Sequence, residues 1–149
     1  MKYTSVLFFI ILLFFLSNTA LAQQFETNLE HATETAQQEQ KNVLLVFTGS
    51  DWCKPCVLLK RDVLGAPEFL DYAAESLVLC NLDFPFKKQN QLPKEVRAYN
   101  DEKAAIYNPE GKFPRVILLS PDAEVIKEFT YKPGTEPAAF VQQLQAAAI

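Results

Sequence analysis

Histidine is nearly absent from this sequence: one is present among 149 residues, His31, so a mechanism that needs a histidine base has a single candidate. His31 lies in a polar stretch with helical periodicity, where a histidine is more often a surface residue than a ligand. Cysteine is scarce as well, with three in the chain. Together these residues would supply four ligands to a tetrahedral metal site and leave none to spare. The ligands would be Cys53, Cys56, Cys80 and His31. We expect neither a metal nor an organic cofactor.

Positive charge is also in short supply. The chain has 14 Lys and Arg against 18 Asp and Glu, which gives a net charge of −4 at pH 7. An acidic chain is a poor match for the phosphates of nucleic acid or for an anionic membrane surface. We therefore expect no nucleic-acid partner and no membrane-surface partner.

The N-terminus has the pattern of a secretory signal peptide. Lys2 precedes an apolar run over Val6–Leu16, and an Ala-x-Ala sequence ends at Ala22. The run is shorter than the about 20 apolar residues that a membrane span needs, and the next residue is glutamine rather than the cysteine of a lipid-anchored protein. We predict a cleaved signal peptide over residues 1–22 and one domain over residues 23–149, located in the periplasm or secreted.

The remainder of the chain is organised around a dithiol, Trp52-Cys53-Lys54-Pro55-Cys56. An apolar run of strand length precedes it, and a helical pattern follows. The start of a helix favours a thiolate, because its backbone N–H groups are unpaired and the helix dipole is positive there. We expect Cys53 to be the more exposed nucleophile, and Cys56, one turn further in, to attack a mixed disulfide formed by Cys53. Their spacing also permits a Cys53–Cys56 disulfide, with Cα atoms about 5.5 Å apart.

Neighbouring residues bear on the chemistry of this dithiol. Lys54 adds a positive charge beside the nucleophile, and Pro55 fixes the backbone before the second cysteine. Asp51 is predicted to cap the dithiol helix. A purely structural disulfide is the alternative, but so short a loop constrains the unfolded chain little, which favours a redox role. Cys80 lies in an apolar strand and is interpreted as a small buried hydrophobe.

Hydrophobic periodicity predicts a series of alternating helices and strands. Helices are expected over Phe25–Gln40, from the dithiol to Leu64, and over Glu68–Ala74, Leu92–Ile106 and Pro137–Ala147; strands are expected over Val43–Phe47, Leu77–Leu82, Arg115–Leu119 and Glu124–Tyr131. The first two strands flank a helix, so they should be parallel, and the last two are close enough to form a hairpin. The prediction is an α/β fold with a mixed sheet of about four strands flanked by helices.

The dithiol resembles that of the thioredoxin superfamily, because a strand and Trp52 precede it and Pro114 begins a later strand. The segment from Thr48 to Cys53 is similar to exported bacterial thioredoxin-like proteins, and the likeness runs from residue 43 to the C-terminus. It implies a thioredoxin-like fold, a cis bond before Pro114, a tryptophan that covers the dithiol, and a backbone at Phe113 that can pair with an extended peptide. The residues expected to line the substrate groove are Trp52, Lys54, Pro55, Phe113 and Pro114.

Two positions depart from the thioredoxin pattern. Thioredoxins carry a buried acid on the central strand, six residues before the first cysteine, that assists proton transfer from the resolving thiol. Phe47 occupies that position here. Without a replacement, the second exchange step should be slower or depend on water. The segment from Asn108 to Phe113 replaces the family's apolar-Gly approach to the proline and so changes one wall of the groove.

These features together predict an exported thiol–disulfide oxidoreductase. Its substrates would be cysteine-containing exported proteins, and a membrane or periplasmic electron donor or acceptor would exchange electrons with it. Reduction or isomerisation is favoured over oxidation, because Pro55 resembles the dipeptide of thioredoxin more than the histidine-containing dipeptides of strong oxidants. We expect a monomer. The alternative is a thioredoxin-fold binding module that holds an exported client and carries a non-catalytic disulfide.

Overall fold

Helices pack on both faces of one mixed sheet in the computed structural model, which describes residues 24–148. The helices are α1 Leu29–Glu39, α2 Lys54–Leu59, α3 Pro67–Ser76, α4 Lys94–Tyr107 and α5 Pro137–Ala147, and a π-helical turn over Lys60–Leu64 continues α2. The strands are β1 Asn42–Thr48, β2 Leu77–Asp83, β3 Arg115–Leu119 and β4 Val125–Phe129. The predicted signal peptide lies outside the described residues. Between residues 24 and 148, every helix is too short or too polar to cross a bilayer.

The four strands are arranged in the order β2-β1-β3-β4. Strand β1 is parallel to β2 and antiparallel to β3, and β3 and β4 form an antiparallel pair. The predicted mixed sheet and its terminal hairpin are therefore confirmed. Because β1 and β2 are parallel, their carboxyl ends meet at one edge of the sheet, where Thr48 is paired with Asp83. The dithiol follows β1 at this same edge.

Strand β1 is the centre of the core, and residues 43–47 are fully buried. Leu44 and Val46 pack into the cluster formed with α2, α3 and α5. On the other face, Val43, Leu45 and Phe47 pack into a cluster that includes the buried residues of α1. A strand covered on both faces must be apolar at every position, which explains the continuous hydrophobic run in the sequence.

The first helix begins later than its periodicity predicts, so the expected helix over residues 25–28 is wrong. The Asn28 side chain accepts a hydrogen bond from the backbone N–H of His31 at 2.8 Å and starts α1 at Leu29. Ahead of this cap, Glu26 pairs with the edge of β2 as an isolated bridge to Cys80. Backbone pairing with the edge strand of the sheet thus takes the place of the predicted first helical turn.

Candidate active site

Cys53 and Cys56 form a disulfide at the start of α2, with their Cα atoms 5.3 Å apart. Cys53 is the N-cap residue of α2, and the backbone N–H of Cys56 donates to the Sγ of Cys53 at 3.2 Å. When the pair is reduced, a hydrogen bond of this kind favours the charged form of the acceptor. The local geometry therefore favours a thiolate on Cys53 over one on Cys56.

The expected difference in exposure between the two cysteines is not found, because Cys53 is 4% exposed and Cys56 is 2% exposed. The reason lies in the helix start. As N-cap, Cys53 turns its sulfur back onto the first turn of α2 and toward its disulfide partner rather than outward. A substrate must therefore approach the disulfide closely, along the surface formed by its neighbours.

Trp52 forms part of an aromatic wall beside the disulfide. Its indole is 51% exposed, and its Nε1–H donates to the carbonyl of Phe84 at 2.7 Å. Phe113 meets the Trp52 ring edge-on at 5.2 Å and the Phe84 ring at 5.4 Å. Gly49 lies against the indole, since a Cβ atom there would be 2.2 Å from Cε2 of Trp52. We call Trp52, Phe84 and Phe113 the aromatic wall.

The peptide bond between Phe113 and Pro114 is cis, and Pro114 directly precedes β3. The expected cis proline is thus confirmed. In the segment that leads to Pro114, the buried Asn108 side chain holds a turn together: it donates to the carbonyl of Lys112 and accepts from the N–H of Lys112, both at 2.9 Å. This polar turn occupies the segment that, in thioredoxins, is an apolar-Gly approach to the proline.

The five predicted groove residues are placed as follows. The structure brings Trp52 and Phe113 into contact. Lys54 and Pro55 are exposed in the first turn of α2, next to the disulfide. Pro114 is half-buried at the start of β3.

Asp51 does not cap α2, so that prediction is wrong: the cap is Cys53. The Asp51 carboxylate instead accepts hydrogen bonds from the backbone N–H groups of Phe86 and Lys87, at 2.8 and 2.9 Å, and from Asn90 at 2.9 Å. These bonds, that from Phe86 foremost, lower the pKa of Asp51. They tie the loop after β2 to the turn before the dithiol and hold Phe86, 81% exposed, on the surface of that loop.

A cavity of about 510 Å³ lies against the inner cysteine and is lined in part by Cys56 and by polar residues at the ends of β1 and β2. Among these is Asp83, whose carboxylate accepts from the Ser50 backbone N–H at 2.8 Å and from its Oγ at 2.5 Å. Thr48 Oγ1 lies 3.1 Å from Asp83 Oδ1 and 2.9 Å from Asn81 Oδ1. The strand predicted over Leu77–Leu82 ends one residue before Asp83, which is not among the predicted site residues.

Cys80 is fully buried in β2 and separate from the dithiol. Burial, together with the Glu26 and Glu30 carboxylates, raises the pKa of its thiol to about 12, so it remains protonated. His31 is exposed, with Nδ1 3.3 Å from Glu26 Oε2. In the part of the chain described, His, Cys, Asp and Glu side chains form no group of three or more that could hold a metal ion.

Comparisons with known proteins bear on the same region. The profile of a family described as thioredoxin-like matches residues 24–121. The chain is similar to the disulfide bond reductase DsbH of Chlamydia pneumoniae, with 34% identity over 124 residues, 83% of this chain and 72% of that protein. It is similar to a solved structure named DsbH oxidoreductase, with a TM-score of 0.76 and 31% identity over 88% of each chain. A thioredoxin from Thermus thermophilus shares the fold, with a TM-score of 0.61 and 18% identity over 85% of this chain and 88% of the other.

Proposed function

The chain belongs to the thioredoxin-like family and is a thiol–disulfide oxidoreductase, and from this premise we propose that it reduces or isomerises disulfides of exported proteins. In this proposal Cys53 is the nucleophile and Cys56 the resolving thiol. The observation that carries it is the disulfide at the start of α2, with the Cys56 N–H on Cys53 Sγ at 3.2 Å. The direction is supported by the 34% identity to a protein named a disulfide bond reductase.

Two exchange steps transfer two electrons to the substrate. The Cys53 thiolate attacks one sulfur of a substrate disulfide, and the other substrate sulfur leaves as a thiolate. Cys56 then attacks the Cys53 sulfur of this mixed disulfide, which releases the reduced substrate and leaves the Cys53–Cys56 disulfide. A membrane or periplasmic donor must reduce that disulfide again before the next cycle. The exposed Lys54 beside Cys53 adds positive charge that favours the attacking thiolate.

The aromatic wall is the proposed contact surface for the substrate. Its Trp52 is half-exposed and packs against its Phe113, whose backbone would pair with an extended segment of the substrate. Pro114, Lys54 and Pro55 would flank that segment near the disulfide. An extended peptide suits the site because both sulfurs are buried and a folded surface could not reach them easily.

Export is proposed from the pattern of residues 1–22, which gives a mature monomeric domain over residues 23–149 in the periplasm or outside the cell. The measurement is the mass of the protein recovered from the periplasmic fraction. Loss of residues 1–22 is the expected result, and an intact N-terminus in a membrane fraction would contradict it.

Trapping of mixed disulfides tests the assignment of the two cysteines. With Cys56→Ser, the first step proceeds and the second does not, so protein adducts that dithiothreitol releases should accumulate on non-reducing gels. The matched control is Cys53→Ser with Cys56→Ser, which should form none. If Cys56→Ser traps nothing in cells where the native protein is expressed, the thioredoxin-fold binding module with a non-catalytic disulfide becomes the better interpretation.

The reduction potential of the Cys53–Cys56 couple tests the direction. Equilibration with glutathione buffers should give a value near that of thioredoxin, about −270 mV. A value near about −120 mV would instead identify an oxidant that donates its disulfide.

A further inference from the structure

The resolving step requires Cys56 to lose a proton, and the central strand offers no group to take it. Only a thiolate attacks a disulfide sulfur, and a thiol that is buried in apolar surroundings resists ionisation. Cys56 is 2% exposed. The position on β1 that carries a buried acid in thioredoxins is occupied here by Phe47, which is fully buried in an apolar cluster. A proton acceptor must therefore come from another element.

Cys56 and such a group both line the 510 Å³ cavity. Among the described residues that line it, three carry charge, Lys60, Arg61 and Asp83, and only Asp83 is an acid. Thr48, Ser50 and Asn81 add polar groups to a lining that is otherwise largely apolar, and the volume admits water, which can relay a proton between groups that do not touch. Among the described lining residues, Asp83 is thus the one carboxylate that shares this cavity with the resolving thiol.

Asp83 is also held in a fixed orientation. The parallel pairing of β1 with β2 places it opposite Thr48, one residue beyond the pair Phe47 and Leu82. Its two oxygens accept hydrogen bonds from Ser50, through the backbone N–H at 2.8 Å and the hydroxyl at 2.5 Å. The neighbouring strand therefore supplies an oriented acid at the level of the sheet where the central strand has none.

We propose that Asp83 accepts, through solvent in this cavity, the proton that Cys56 loses when it resolves the mixed disulfide. This step rests on the proposed function. The Cys56 proton passes to the Asp83 carboxylate, the thiolate attacks Cys53 Sγ, the bond between Cys53 and the substrate sulfur breaks, and that sulfur leaves as a thiolate. Asp83 then returns its proton to solvent.

Stopped-flow reaction of the reduced protein with Ellman's reagent separates the two steps. Attack by Cys53 releases one thionitrobenzoate, and resolution by Cys56 releases a second; Cys56→Ser defines the first release alone. For Asp83→Asn we expect the first phase to be unchanged. The second should be about tenfold slower near about pH 6 and equal to the native rate above the ordinary pKa of a thiol, about 8.5.

Matched variants separate proton transfer from a structural role. Ser50→Ala removes the 2.5 Å hydrogen bond but keeps the carboxylate, so its second phase should keep the native pH profile. Asp83→Glu should restore much of the rate lost at low pH, and Asp83→Ser is a second neutral variant if Asp83→Asn does not fold.

Two results would overturn the inference. A carboxylate that acted by charge alone would disfavour the Cys56 thiolate, so its removal would speed the second phase at low pH. A structural role would slow the phase equally at every pH and in Ser50→Ala as well. If the native protein releases only one equivalent of thionitrobenzoate at every pH tested, the proposed function is refuted instead.

Discussion

Replacing Gly49 with alanine tests how the aromatic wall is held. A Cβ atom at this position would lie 2.2 Å from Cε2 and 2.4 Å from Nε1 of Trp52, far inside van der Waals contact, so the indole must move. Gly49 is not in the left-handed region, and alanine therefore adds no backbone strain of its own. The three heavy atoms nearest to the added Cβ all belong to Trp52, so the direct clash is with the indole.

The free-energy change follows from what the displaced indole loses. Its hydrogen bond to the Phe84 carbonyl is worth about 1 kcal/mol, and its edge-on contact with Phe113 about 1 kcal/mol. Alanine offsets about 0.7 kcal/mol of this, because it restricts the unfolded chain. Gly49→Ala should therefore lower the free energy of unfolding by about 1 kcal/mol.

A double-mutant cycle with Trp52→Ala isolates the clash. Without the indole, Gly49→Ala should stabilise the protein by about 0.4–1 kcal/mol, so the sign of its effect reverses. Urea unfolding followed by circular dichroism gives the four free energies. Since Trp52 is the one tryptophan of the chain, its fluorescence should also shift to longer wavelength in Gly49→Ala. Equal destabilisation with and without the indole would refute the reasoning.

Three further predictions concern groups around the dithiol. Cys80, with its thiol pKa raised to about 12, should escape iodoacetamide in the reduced native protein, and a third adduct by mass spectrometry without denaturant would contradict this. The pKa of Asp51 is lowered below its ordinary 3.8, so its carboxylate holds the loop above that pH and releases it as the pH falls through the lowered value. At neutral pH, Asp51→Asn should speed hydrogen exchange at the backbone N–H groups of Phe86 and Lys87 roughly two- to tenfold. Unchanged rates would show that the Asp51 carboxylate does not hold this loop. Phe47→Asp should destabilise the fold by more than about 3 kcal/mol in thermal unfolding, since the ring is fully buried, and native-like stability would be a contrary result.

The elements that could be predicted are those defined by local signals. Helix α5 was predicted over Pro137–Ala147 and occupies those residues, because a proline suited to a first turn starts a run with helical apolar spacing. Residues 25–28 show the limit. Their helical spacing is real, yet Glu26 forms backbone bonds with Leu79 and Asn81 at 2.8 Å, and no local pattern reports a pairing across the sheet.

Some features of the candidate site could be predicted from local sequence and others could not. The disulfide pair is predicted by a contiguous motif, and the cis bond before Pro114 by the resemblance to thioredoxins. The edge-on contact of Trp52 with Phe113 is known only from the structure. The prediction for Asp51 is wrong although a carboxylate two residues before the first cysteine, near the start of a helix, is a common cap. The Cys53 sulfur takes that position, and the loop after β2 provides the donors that Asp51 binds.

Asp83 could have been found by combining two sequence observations that were each available. The central strand lacks an acid at Phe47, and the parallel pairing predicted for β1 and β2 brings their carboxyl ends to one edge. The residue that follows the apolar run of β2 is an aspartate. What the sequence does not contain is the register, because a shift of one residue would turn that side chain to the opposite face of the sheet. The pairing of Thr48 with Asp83, and the cavity that Asp83 shares with Cys56, are set by packing on both faces of the sheet. The proposed role of Asp83 therefore depends on the register of β2 against β1, which local sequence patterns do not specify.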